Sequence, residues 1–199
     1  MKTSLLGTAA ILAAVVVSQA ANAASEVKIS GQASVIYVDT IEIGHAIALG
    51  ISAPESKQLC RGDNSETYNC GARATSALAA WIGGRVVTCL ADGFVDHYGR
   101  WSATCSVDGA DIGEWLVSSG WALAWQSTTY GRYWAAQQEA ERAKRGMWSG
   151  SFVKPWDYQK CAGPSPSAER IAYCSDEARP KPARRSPIIW SAQPPSGGL

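Results

Sequence analysis

VKISGQASVIYVDTIEIGHAIALGI, residues 27–51, decides the fold. Its β-branched and apolar residues crowd into the runs VKIS, ASVIYV, TIEI and AIALGI, broken by Gly31, Asp39, Gly44 and Gly50. A strand has a side-chain period of two, and glycine or aspartate supplies the reversals, so the stretch predicts a β-meander. Toward the C-terminus, Gln58 to Gly71 is polar and bracketed by Cys60 and Cys70, which predicts a disulfide-tied loop in which Arg61-Gly62-Asp63 is a chance triplet. Ala72 to Ile82 has apolar residues at helical spacing and ends at Gly83-Gly84. Arg85 to Leu90 and Trp101 to Cys105 read as a hairpin around a turn holding Asp92, Gly93, Asp96 and Gly99, with Cys89 facing Cys105. Asp111 is placed to cap a helix reaching Ser119, which Gly120 stops. Tyr133 to Arg145 places acidic residues early and basic ones late, in keeping with the helix dipole, and Gly146 ends it. Five strands with a helix after the third, then two more helices, is the order of an α+β domain built on an OB-fold-type five-stranded β-barrel with three helices.

On the other side of the meander, Met1 to Ala23 opens with Lys2, runs through an apolar core from Leu5 to Val17 and ends in Ala21-Asn22-Ala23. This is the pattern of a secretory signal cleaved after Ala23. Its apolar run is shorter than the ~20 residues a spanning helix needs, so no stable membrane anchor is expected. The expected organisation is a signal peptide over 1–23, one domain over 24–158, and a Pro/Ser/Arg-rich tail over 159–199 too poor in apolar residues to pack a core, its first part clipped into a small loop by Cys161 and Cys174 and Arg179 to Leu199 left disordered. The expected destination is the periplasm or the medium.

All six cysteines lie beyond the signal, where thiols are oxidised. Zinc is the competing reading, but there is no C-x-x-C pair, and His45 and His97 lie far from any cysteine cluster. Local pairs are expected: Cys60 with Cys70, Cys89 with Cys105, and Cys161 with Cys174. The net charge is +1 with Lys2 included, so no global field attracts a polyanion. Any phosphate recognition has to be local.

Five blocks, VIYVDTIEIG, GISAPESKQLC, DHYGRWSATC, GEWLVSSGWALAW and AERAKRGMWSGSFVKPWDY, occur in that order over Gln32 to Tyr158. Together they resemble the thermonuclease (staphylococcal-nuclease-like) family. The resemblance implies calcium-dependent hydrolysis of a phosphodiester in nucleic acid. In that chemistry two aspartates hold the ion, a glutamate activates water and two arginines grip the phosphate. The logic is general: calcium wants several oxygen ligands, phosphoryl transfer rests on positioning and charge stabilisation, and guanidinium matches phosphate bidentately.

Carried over residue by residue, the family's D-G-D-T turn is Tyr37, Val38, Asp39, Thr40 here, so Asp39 matches a calcium ligand. I-D-A-P-E becomes Ile51, Ser52, Ala53, Pro54, Glu55: Glu55 matches the water-activating glutamate, and Ser52 stands where the second calcium-binding aspartate belongs. Y-G-R is kept as Tyr98, Gly99, Arg100, which makes Arg100 a phosphate ligand. No arginine lies between Gly44 and Glu55, so the other phosphate-binding arginine is missing under any alignment.

The implied site is therefore Glu55 and Arg100 as catalytic residues with Asp39 at a weakened calcium position. Each has a plainer reading: Asp39 as a turn residue, Glu55 as a solvated loop carboxylate, Arg100 as the partner of Asp96 or Asp92. His45 reads as a surface strand residue. Trp115, Trp121, Trp125, Trp148 and Trp156 read as core rather than as stacking surfaces. Two function classes follow. One is an exported nuclease impaired by the two losses. The other is a non-catalytic accessory protein, because relatives with a signal and a cysteine-bearing tail are similar to thermonuclease-like proteins associated with exopolysaccharide (succinoglycan) production in rhizobial bacteria. That second class would make exopolysaccharide machinery, and not nucleic acid, the partner.

Overall fold

The computed structural model describes residues 26–125 and 130–162. Strands β1 (Val27–Gln32) and β2 (Ser34–Tyr37) are halves of one run interrupted only at Ala33, and β3 (Thr40–Ile43) and β4 (His45–Ala48) follow through tight turns. The short strands β5 (Ile51–Ser52), β6 (Leu59–Arg61) and β7 (Thr67–Asn69) lead into helix α1 (Cys70–Ile82). Next come β8 (Val86–Val95), β9 (Trp101–Val107), β10 (Ala110–Asp111), α2 (Ile112–Ser118) and β11 (Leu123–Ala124). Helix α3 (Tyr130–Arg142), a 3-10 turn (Gly146–Ser149) and α4 (Pro155–Ala162) complete the order.

The main sheet runs β1-β8-β9-β4-β3-β2, with β10 added on β9. Its two ends, β1 and β2, are adjacent in the chain, so the path returns to the strand on which it began and the sheet curls into a barrel. The bend passes tightly against β3: a Cβ on Gly31 would lie 2.9 Å from Ile43 Cγ2. Counting β1 and β2 as one bent strand, the five expected barrel strands are present. The β4–β9 pairing is parallel and the others are antiparallel. Such closure leaves no long open edge to pair with another chain.

Val38, Ile41, Ile47, Val87 and Val107 fill the core, at 1% exposure or less. Helix α1 adds Ala74, Leu78 and Ile82, one every fourth residue, which is the spacing that keeps one helical face on the core. Helix α2 adds Ile112, Leu116 and Val117.

Capping chemistry sets the helix ends. Asn69 accepts from the Ala72 amide at 2.8 Å, so α1 begins at Cys70, two residues before the expected Ala72. Asp111 caps α2 as expected, and its carboxylate also accepts both bonds from the Tyr133 hydroxyl, at 3.0 and 2.8 Å. Burial, followed by that bond to Asp111, pushes the Tyr133 phenol up to about 12, so it remains a donor joining α3 to α2. Helix α3 runs three residues earlier at each end than the expected 133–145. It stops because Lys144 takes a left-handed φ of 52°, with Arg145 N donating to Ala140 O and Lys144 N to Glu141 O. This is a Schellman closure made without glycine. Gly146 instead permits the close approach of two helix ends, since a Cβ there would lie 2.5 Å from the Gly120 carbonyl oxygen.

The expected loop over Gln58–Gly71 is a hairpin, β6 against β7, closed by the disulfide Cys60–Cys70. Cys89 and Cys105 face each other across β8 and β9 and are bridged. Cys161 is also oxidised, and Cys174, its expected partner, lies outside the described residues. Among the described residues there are four α-helices rather than three, because α4 runs from Pro155 to Ala162. The helix was hidden by its proximity to the proline-rich stretch, although Pro155 at a first helical position is a start signal. The signal-like segment and the remainder of the tail lie outside the described residues. Among the described residues no helix is long and apolar enough to cross a membrane.

Candidate functional site

Asp96 organises one wall of the site. Its Oδ1 accepts from the Tyr98 and Arg100 amides, both at 2.9 Å, and its Oδ2 accepts from Arg100 Nε at 2.8 Å. One carboxylate thus shapes the turn between β8 and β9 and fixes the guanidinium that the turn presents. Burial opposes its ionisation but is outweighed by the bonds from the Arg100 amide and guanidinium and from the Tyr98 amide, reinforced by the Arg100 charge. The carboxyl is therefore held below its ordinary range.

Arg100 then reaches across to the turn between β2 and β3. Its Nη1 donates to Thr40 Oγ1 at 2.8 Å and lies 3.8 Å from Asp39 Oδ2, while the Thr40 hydroxyl donates to Asp39 Oδ1 at 2.9 Å. Thr40 is 3% exposed, so the relay is anchored in the barrel wall. Pairing with Asp96 and placement in the site are both true of Arg100, and no hydrogen bond from its Nη2 is present among the described residues.

Glu55 lies on the opposite wall, which distant parts of the chain hold in place. The Glu55 amide donates to Gln58 Oε1 at 3.3 Å, and the fully buried Gln58 donates through Nε2 to Val153 O at 2.7 Å. A Cβ on Gly71 would lie 1.8 Å from the Glu55 carbonyl oxygen, so the first turn of α1 sits directly against this loop. The carboxylate itself accepts from Gln159 Nε2, on α4, at 2.7 Å.

These walls enclose two adjoining hollows of about 500 and 510 Å³. Asp39, Ala53, Tyr98, Arg100 and Gln159 line both; Glu55 lines one and Ser52 the other. All three sequence-derived site residues therefore face one cleft. Ser52 is 6% exposed and pairs with Leu123 in the β5–β11 ladder. His45 is exposed on β4, as expected, with its ring 5.9 Å from that of Trp101. Trp115, Trp121, Trp148 and Trp156 pack against the buried clusters, and Trp125 is paired with Trp156 but also lines the cleft.

Calcium binds about 6 to 8 oxygens, several of them from carboxylates. Asp39 stands with a serine where a second carboxylate is needed and with a guanidinium nearby. Among the described residues no group of three or more His, Cys, Asp or Glu side chains can hold a metal. The donor set does not fit a calcium centre.

A family model described as staphylococcal nuclease homologue matches residues 46–150, more than half of the chain. This chain belongs to the staphylococcal nuclease homologue family. The match takes in Ser52, Glu55 and Arg100 but begins after Asp39 and ends before α4. The chain is also similar to the succinoglycan biosynthesis protein ExoI of Rhizobium meliloti (strain 1021), at 39% identity over 142 residues, which is 70% of this chain and 73% of that protein. Against that family background, Thr40, Gln58, Gly71 and Gln159 are the site residues that the sequence alone did not disclose. Asp96, four residues before Arg100, was visible as a partner. The two glutamines act over 95 and 104 residues of sequence and left no local signal.

Proposed function

We propose that this chain keeps the nuclease fold as a scaffold and acts outside the cytoplasm as an accessory protein of exopolysaccharide biosynthesis, with phosphodiester hydrolysis reduced to a trace. The carrying observation is Ser52: it is buried in a strand ladder at the position where the family places its second calcium-binding aspartate. Loss of one preorganised charge-stabilising group costs about 10² to 10³ in turnover. The arginine-free stretch between Gly44 and Glu55 removes a second such group from the same site, so the two losses cannot simply be multiplied. Similarity to a protein named for succinoglycan biosynthesis supports the pathway. The signal-like N-terminus and the oxidised cysteines support export.

A second reading, a weak exported nuclease, draws on the shared cleft of Asp39, Glu55 and Arg100. One pair of measurements separates the two. In a strain that carries the gene, deletion should lower exopolysaccharide yield, and Glu55→Gln should restore it as fully as the parent. Purified parent protein should leave single-stranded DNA intact with millimolar calcium. Calcium-dependent cleavage abolished by Glu55→Gln, together with failed complementation by that variant, would establish the nuclease reading instead.

A further inference from the structure

The cleft has the wrong charge for a polyphosphate. Its lining includes the carboxylates Asp39, Glu42, Glu55 and Asp96 against the single guanidinium of Arg100. A chain of phosphates is held by neutralising cations, and each phosphate placed here would face more negative groups than positive ones. Carboxylates are acceptor-only groups, and what they take up well is the hydroxyl hydrogen, in short charge-assisted bonds.

The rim adds a second feature. Phe94 is 63% exposed and Tyr98 72% exposed, both beside the turn between β8 and β9, and Tyr37 at the end of β2 is 52% exposed. Single exposed apolar residues are ordinary. Three aromatic rings along two joined, carboxylate-lined hollows are a different matter: Phe94 lines one, Tyr37 the other, and Tyr98 both. Tyr98 is braced by the His97 ring at 3.8 Å and by the Arg100 guanidinium carbon at 5.2 Å from its centroid, while most of its surface stays in solvent. An aromatic face packs against the C–H face of a sugar ring and leaves the hydroxyls at the ring edge free for polar partners. Each hollow lies in the ~300–1,000 Å³ range of small-ligand sites, and the two join at Tyr98 and Arg100.

We propose that this cleft is a glycan-binding site for a chain of hexopyranose units. Phe94 and Tyr98 stack on successive rings, Asp39, Glu42 and Glu55 accept from sugar hydroxyls, and Arg100 donates to sugar oxygens. The inference rests on the accessory reading above and adds the class of ligand.

The test is calorimetric titration of the mature chain with a hexamer of β-1,4-linked glucose and, separately, with the hexanucleotide dT6. The glucan should bind, dT6 should not, and Phe94→Ala or Tyr98→Ala should each weaken glucan binding about 3- to 10-fold. Both side chains are exposed, so these variants should keep the parent's circular dichroism and melting temperature. Failure of the glucan to bind, tighter binding of dT6, or glucan affinity unchanged in both variants would overturn the site. In the deletion strain, full restoration of yield by the Phe94→Ala/Tyr98→Ala double variant would sink the glycan site and leave the accessory role standing. A deletion without effect on yield, beside glucan binding in the calorimeter, would sink the role and leave the site standing.

Discussion

The two walls of the cleft are built by opposite means. The wall carrying Arg100 is a hairpin: a long β8–β9 ladder whose register shifts between Ala91 and Val95, a disulfide across it, and a turn that one aspartate saturates from four residues away. The wall carrying Glu55 has little local structure. Gln58 bonded to Val153, Gln159 bonded to Glu55, and the bare Cα of Gly71 hold it from other parts of the chain. The contrast teaches that one cleft can be built by local bonds on one side and by long-range packing on the other. The hairpin wall orients its guanidinium by local bonds, and the loop wall depends on side chains that carry no motif. Ser52, three residues before Glu55, is held by the β5–β11 ladder, where it pairs with Leu123.

The largest effect is expected from unstapling the local wall. Replacing Cys89 and Cys105 together by alanine should cost about 2 to 5 kcal/mol, read by urea denaturation of the oxidised protein. A loss near zero would mean that the ladder alone holds the hairpin. Gln58→Leu attacks the other wall by leaving the Val153 carbonyl without its partner and the Glu55 amide without an acceptor. The expected loss is about 2 to 4 kcal/mol. If the variant matched the parent, the idea that this buried amide holds the loop would be wrong.

Asp96→Ala should cost about 1.5 to 3 kcal/mol, as expected for losing hydrogen bonds to a charged group. The same residue gives a pH signature. Its folded carboxyl is held below the ordinary 3.8, so its contribution is present above that value and is lost as pH falls through the lower, folded one. Stability measured from pH 7 down to pH 3 should therefore fall more steeply in the parent than in Asp96→Ala; parallel curves would contradict the assignment. The smallest effect is expected from Gln159→Ala, at about 0.5 kcal/mol or less, because that bond is exposed and both partners can turn to water. A loss above about 2 kcal/mol would show that α4 is an integral support of the Glu55 wall.

Much of the fold was legible because it is local. The VKIS-to-ALGI runs specify the meander by their period and breaks, Asp111 and Gly120 mark both ends of α2, and the paired strands place Cys89 opposite Cys105. Where expectation and structure part, a competing local rule won. Lys144 ended α3 in a left-handed conformation usually left to glycine, and α4 was masked by the composition that follows it.

By itself, then, the amino-acid order determined the barrel, the disulfide pairs Cys60–Cys70 and Cys89–Cys105, and the absence of an aspartate at Ser52 and of arginine from the 45–54 stretch. Each of these is written in residue type and short spacing. Only the tertiary structure decided that Asp39, Glu55 and Arg100 share a cleft, that Thr40 joins two of them, that Gln58 and Gln159 support the third, and that carboxylates and exposed aromatic rings surround all three. The reason is physical. Hydrogen bonds over 60 to 104 residues arise from how the closed barrel and its helices pack, and no local pattern in the chain encodes such a meeting.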